Sequence, residues 1–182
     1  ITPMKTIRTL IASLLTIGSM AVKAQPDLVW DETFPGGSAQ SVVDQARGLV
    51  VDAAGNTYVT GYSNNGSDDD FATVSYSPSG TQRWVSRYNN PEACGLPDRG
   101  IAIIINTAGT VVYVTGNSIN AAGNTDFCTI AYSTANGTQL WVTRTDNAAA
   151  NDFPNAICLN QNEDSVFVTG YSPAFAALRD IM

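Results

Sequence analysis

The stretch Val51-Asp52-Ala53-Ala54-Gly55-Asn56-Thr57-Tyr58-Val59-Thr60-Gly61-Tyr62 decides the fold. Its centre, Ala54-Gly55-Asn56, is a turn, because Gly takes positive φ without steric cost and Asx side chains bond their own backbone. On either side lie short β-branched and apolar runs, 48–51 and 57–60, of strand length. The segment therefore reads as a β-hairpin.

Working outward, the hairpin recurs. Val59-Thr60-Gly61 returns as Val114-Thr115-Gly116 and Val168-Thr169-Gly170, at intervals of 55 and 54 residues. Asp44, Asp98 and Asp152 are spaced by 54 and 54, and Trp30, Trp84 and Trp141 by 54 and 57. Asp70-Phe71 matches Asp126-Phe127, and Tyr76-Ser77 matches Tyr132-Ser133. Agreement at this many positions identifies an internal repeat.

Each unit carries four β-type runs, named a to d. In the first they are 48–51, 57–60, 71–76 and 83–86, separated by the 54–56 turn, a polar 63–70 loop and the turn Ser77-Pro78-Ser79-Gly80. In the second they are 101–105, 111–115, 127–132 and 140–143, with Asn136-Gly137 as a hairpin turn. Outside the N-terminal segment no helical periodicity is present. Units of about 54 residues with four antiparallel strands are expected to be all-β propeller blades, since radial repetition buries both faces of each small sheet.

Residues 51–62, together with Asp70-Phe71-Ala72-Thr73-Val74-Ser75-Tyr76 and the Trp strand, resemble the bacterial SBBP-type β-propeller repeat, over about residues 30–182. The second unit has Asn106 in place of Asp52, and the third departs most, reading Asn160-Gln161-Asn162-Glu163-Asp164 at the turn. The resemblance implies an exported propeller and carries no reaction or catalytic set with it.

The N-terminus agrees with export. Met4-Lys5-Thr6-Ile7-Arg8 is cationic, residues 9–22 are uncharged, and Val22-Lys23-Ala24 places small residues before Gln25. This pattern predicts a signal peptide over 1–24, with 1–3 upstream of the start at Met4 and cleavage after Ala24. Fourteen uncharged residues interrupted by Ser13, Thr16, Gly18 and Ser19 are too few to span a bilayer core of about 30 Å. Residues 25–182 are then repeats: a lone strand d at 28–34, blade 1 at 44–88, blade 2 at 98–145 and a truncated blade 3 at 152–182. They make just under three units, whereas rings need about four to eight, so an incomplete ring is expected. Closure would need further blades of the same chain or self-assembly.

Composition excludes several chemistries. The 182 residues contain no His, which removes imidazole acid–base catalysis, Ser-His-Asp nucleophiles and His-liganded zinc. The net charge is −7, and past Ala24 six arginines face all sixteen acids for a net of −10. Nucleic acid and anionic lipid are thus poor partners; a protein or carbohydrate partner is expected. Ten of those acids precede strand a or fall between b and c, which places them on one face of a propeller.

Among them Asp68, Asp69, Asp70 and Asp126 are the candidate ligand-binding residues, because Asp68-Asp69-Asp70 is the least repetitive acidic stretch. Without the alternating D-x-D-x-D-G spacing it is a weak basis for Ca²⁺, and no cofactor is expected. Asp44, Asp98 and Asp152 recur in every unit, so they are assigned a structural task, accepting backbone N–H bonds at turns. Gly61, Gly116 and Gly170 share that structural assignment, and Trp30, Trp84 and Trp141 are assigned to packing between blades. No residue is assigned a catalytic role. Cys128, at the position of Ala72, and Cys158, at that of Val50 and Ile104, read as small buried apolar residues, leaving Cys94 as the loop thiol; the disulfide status of all three stays open.

Two functions follow. The first is an exported, non-catalytic propeller serving as a binding or scaffold module at the cell surface or outside the cell, with the periplasm also open to it. The second is an extracellular propeller enzyme, acting on polysaccharide or using a quinone, with its active site partly in other blades.

Overall fold

In a computed structural model the structure describes Trp30 and residues 44–147, 150–172 and 180–181. The expected signal peptide, and all of the lone strand d except Trp30, lie outside the described residues. The chain forms β1 (Gln45–Val51), β2 (Thr57–Asn64), β3 (Asp69–Tyr76), β4 (Gln82–Tyr88), β5 (Asp98–Ile105), β6 (Val111–Ile119), β7 (Thr125–Ser133), β8 (Gln139–Thr145), β9 (Phe153–Leu159), β10 (Val166–Ser172) and β11 (Asp180–Ile181). They make two four-stranded antiparallel sheets, β1-β2-β3-β4 and β5-β6-β7-β8, and a third in which β10 pairs with β9 and with the two-residue β11. The described sheets do not close a ring. Among the described residues, no helix is long and apolar enough to cross a membrane.

The strands run further than the apolar runs. Tyr62, Ser63 and Asn64 stay in register with Phe71, Asp70 and Asp69. Ladder bonds are made by the backbone and do not need apolar side chains, so polar strand ends continue as long as the turn permits. The expected 63–70 loop shrinks to residues 65–68, and Asp69, Asp70, Asp98 and Asp126 lie within strands rather than in loops.

Alternation along the strands sorts the side chains into two faces. Tyr58, Phe71, Trp84 and Tyr88 from the first sheet meet Ile103, Val112, Val114, Cys128, Ile130 and Tyr132 from the second. The core is therefore the junction between two successive sheets. There β5 packs against β1, β2 and β3, and at the next junction β9 packs against β5, β6 and β7.

The recurring Val-Thr-Gly is explained by this geometry. Its Thr makes a buried hydroxyl pair with strand c, Thr60 with Thr73 at 3.3 Å and Thr115 with Thr129 at 3.2 Å. Its Gly lies beside a β-bulge in strand a, between Ala46 and Gly48, Gly100 and Ala102, or Pro154 and Ala156. A Cβ on Gly116 would strike the Arg99 carbonyl and come within 2.7 Å of Phe71 Cζ from the preceding sheet. Gly170 repeats this with the Phe153 carbonyl and, at 2.7 Å, Phe127 Cζ. The Asp-Phe of one sheet and the Val-Thr-Gly of the next are thus two halves of one contact.

The a–b turns are also alike. Asp52 accepts the N–H groups of Ala54 and Asn56; Asn106 accepts those of Thr110 and Val111; Asn160 accepts those of Asp164 and Ser165. Gly55 and Gly109 hold the left-handed position at φ 84° and 67°, and in the divergent third unit Glu163 takes it at φ 58°. Its carboxylate accepts the Thr107 N–H and hydroxyl from the second sheet, at 2.7 and 2.6 Å, which offsets the cost of a side chain there.

Candidate functional site: the acidic junctions between sheets

The acids of interest arise where the turn between the second and third strands of one sheet meets the connection into the next sheet. Asp152 N donates to Thr125 O at 2.6 Å, tying these segments together at the second junction, while Asn90 Nδ2 donates to Ile119 O at 2.9 Å and ties the connection into the second sheet to that same sheet.

Asp98 and Asp152 are fully buried. Oδ2 of Asp98 accepts the Asn90 N–H at 2.6 Å, and Oδ2 of Asp152 accepts the Asn147 N–H at 2.8 Å. Each holds the connection leading into its own sheet. Asp44 lies at the equivalent place before β1 and is partly buried.

Asp68, Asp69 and Asp70 diverge in direction. Asp68 Oδ1 accepts from Asn65 Nδ2 and Ser67 Oγ, both at 2.8 Å, closing the 65–68 turn. Asp70 Oδ2 accepts from Asn65 Nδ2 at 3.0 Å. Asp69, on the opposite face of β3, pairs with Arg99 at 2.6 Å and accepts from Asn64. Asp68 and Asp70 are buried. These three are not gathered around a common point. Among the described residues, the acids brought together are instead Asp126, Asp146 and Asp152, whose ligand oxygens all lie within 4.8 Å of one another.

Asp126 is buried; Oδ1 accepts from Asn120 Nδ2 at 3.0 Å and Oδ2 from Arg144 Nη2 at 2.8 Å. Arg144 also reaches the exposed Glu92 at 3.8 Å. The junction before it has the same plan: Asp70, Arg87, Asn89 and Asp98 stand at the positions of Asp126, Arg144, Asp146 and Asp152. Only the third pair differs in charge, with an amide at the first junction and a carboxylate at the second.

Electrostatics separate junction acids from turn acids. Burial pushes the Asp70, Asp98 and Asp126 carboxyls above the usual range; for Asp126 the Arg144 charge opposes this, while Asp146 and Asp152 reinforce it. At the turns the hydrogen bonds win. Burial raises Asp52, but donors from Asn56, Tyr58 and Ala54 outweigh it and hold it low. Thr107 lowers Glu163, and Asn160 and Ser165 lower Asp164.

Tryptophans mark the same junctions. Trp84 is buried, and its indole N–H donates to Thr134 O at 2.9 Å in the next sheet. Its ring lies against Gly137, where a Cβ would approach to 2.6 Å, and Ser86 Oγ donates to Gly137 O at 2.6 Å. Trp30 contacts Gly80, the equivalent turn glycine of the first sheet, and packs on Tyr76 with ring centroids 5.5 Å apart. Trp141 packs in a tilted arrangement on Tyr113 of its own sheet but is 38% exposed, and the equivalent turn of the third sheet is not among the described residues.

The cysteines are free thiols. Cys128 is buried, and its thiol is pushed up to about 12 by desolvation; Cys94 is exposed. Cys158 is exposed too, contrary to the buried position expected for it. Val50 packs against the core of the first junction, whereas none of the described residues forms a sheet following the third to cover Cys158.

Sequence spacing locates the recurring acids but misses the Asp126–Asp146–Asp152 cluster. Aligning Arg87-Tyr88-Asn89-Asn90 with Arg144-Thr145-Asp146-Asn147 would have exposed the Asn-to-Asp change that makes it. No curated protein gives a significant match to the chain. The family model described as SBBP: Beta-propeller repeat matches residues 37–67, so the hairpin of β1 and β2 that opens the repeat is similar to a β-propeller repeat.

Proposed function

We propose that this is an exported, non-catalytic β-propeller repeat protein that acts as a binding or scaffold module at the cell surface or outside the cell. The observation that carries this reading is that the recurring acids are engaged in holding the fold. Asp98 and Asp152 accept backbone N–H groups at equivalent connections, so their recurrence has a structural cause in the second and third units. An enzyme of the glycosidase kind needs two carboxylates in contrasting environments, and recurring acids in equivalent settings do not supply that contrast. The signal-like segment at 4–24 and the acidic remainder support export and a protein or carbohydrate partner.

The test is expression of the full chain with a C-terminal tag in a bacterial host, followed by fractionation and mass spectrometry of the N-terminus. The expected product is exported and begins at Gln25; an intact N-terminus retained in the cytoplasm would overturn export. Incubation of the exported protein with polysaccharides should release no reducing sugar, and steady turnover would overturn the non-catalytic assignment.

A further inference from the structure

We propose that Asp126, Asp146 and Asp152 form a divalent-cation site, suited to Ca²⁺, at the junction between the second and third sheets. Two separate observations point there. The first is the convergence of three carboxylates to within 4.8 Å, two buried and one exposed. Arg144 is paired to Asp126 and lies near Glu92. The second is a polar atom left over. Asp152 is fully buried, its Oδ2 is taken by the Asn147 N–H, and its Oδ1 has no hydrogen-bond partner. A buried carboxylate oxygen without a donor is costly unless a cation or water satisfies it.

The donor set selects the ion class. Three carboxylates without thiolate or imidazole suit a hard cation, and an open side at the exposed Asp146 leaves room for the water ligands that Ca²⁺ accepts in its six to eight coordination positions. Three protein ligands place the expected Kd in the weak range of extracellular modules, about 10⁻⁴ to 10⁻³ M.

The first junction is a built-in control. Asp70 Oδ1 and Asp98 Oδ1 are likewise buried without partners, but Asn89 stands where Asp146 does, so only two of the three matched positions carry a carboxylate, and the nearby Asp68 is taken up by Asn65 and Ser67 in closing its own turn. One junction should bind and the other should not.

The experiment is calorimetric titration of the full chain with CaCl₂. The unaltered protein should bind one Ca²⁺ per chain. Asp146→Asn, an exposed change that copies the first junction, should weaken binding at least tenfold with the fold intact by circular dichroism. Asn89→Asp should add a second site. Absence of Ca²⁺ binding up to about ten times the expected Kd, or equal binding by Asp146→Asn, would overturn the proposal.

Discussion

The two junctions between sheets are built from the same repeat positions and differ in how completely they are closed. At the first, Trp84 is 8% exposed and bonded to Thr134 of the next sheet; at the second, Trp141 is 38% exposed. Phe71 presses on Gly116 and Phe127 on Gly170, but Phe127 also borders an open groove of about 370 Å³ lined by Trp141, Thr143, Val166 and Val168. A repeat residue therefore has no fixed energetic value. It stabilises in proportion to the neighbouring sheet that covers it, as expected of repeat architectures in which each unit contacts only its neighbours.

Substitutions at matched positions can break this comparison, and the tryptophans should show the largest difference. Trp84→Ala is expected to destabilise by about 3–5 kcal/mol, the range for emptying a large aromatic site. Trp141→Ala should cost about half that, because much of its ring is already in water. Urea unfolding of both variants checks this, and equal losses would mean that coverage by the next sheet is irrelevant.

The glycines come next. Gly116→Ala forces a methyl group onto the Arg99 carbonyl and Phe71 and should cost about 1–3 kcal/mol. Gly170→Ala meets the same kind of contact, but Phe127 can yield into the open groove, so a smaller fall in melting temperature is expected.

How far the residues themselves disclosed this arrangement depends on what each one does. The repeat, the four-strand unit and the turn at Gly55 were legible because they rest on local rules of turn chemistry and β-branched runs. Strand ends were not, because Tyr62, Ser63, Asn64 and Asp69 pair through their backbones irrespective of polarity. The exposure of Cys158 depends on a neighbouring sheet, which no local pattern encodes. The acid cluster was hidden for a similar reason. Asp68-Asp69-Asp70 is conspicuous in the chain, yet alternation along β3 sends Asp69 and Asp70 to opposite faces, while Asp126, Asp146 and Asp152 are scattered in the chain and meet only across a junction.

Smaller effects sharpen the contrast between junction acids and turn acids. Asp98 has its carboxyl raised by burial, so the folded protein favours the protonated form. Its contribution is full below the ordinary carboxylate pKa and is lost as pH rises through the folded value. Asp98→Asn, which keeps an acceptor for the Asn90 N–H, should therefore flatten the dependence of the unfolding midpoint on pH across the acidic range. Glu163 runs the opposite way. Its pKa is lowered by Thr107, so its contribution is present above the unfolded value and is lost as pH falls through the folded one. Thr107→Val should move the Glu163 pKa up toward the ordinary range, as read by carboxyl carbon NMR titration.

The central claim is that a tryptophan of one sheet is clamped by a turn of the next. Hydrogen exchange of the indole N–H groups, followed by ¹H–¹⁵N NMR, tests it without altering a residue. The Trp84 indole proton, donated to the Thr134 carbonyl, should exchange slowly, and the Trp141 indole proton should exchange fast. Fast exchange at Trp84, equal to that at Trp141, would contradict the clamp and with it the account of why the repeat holds together.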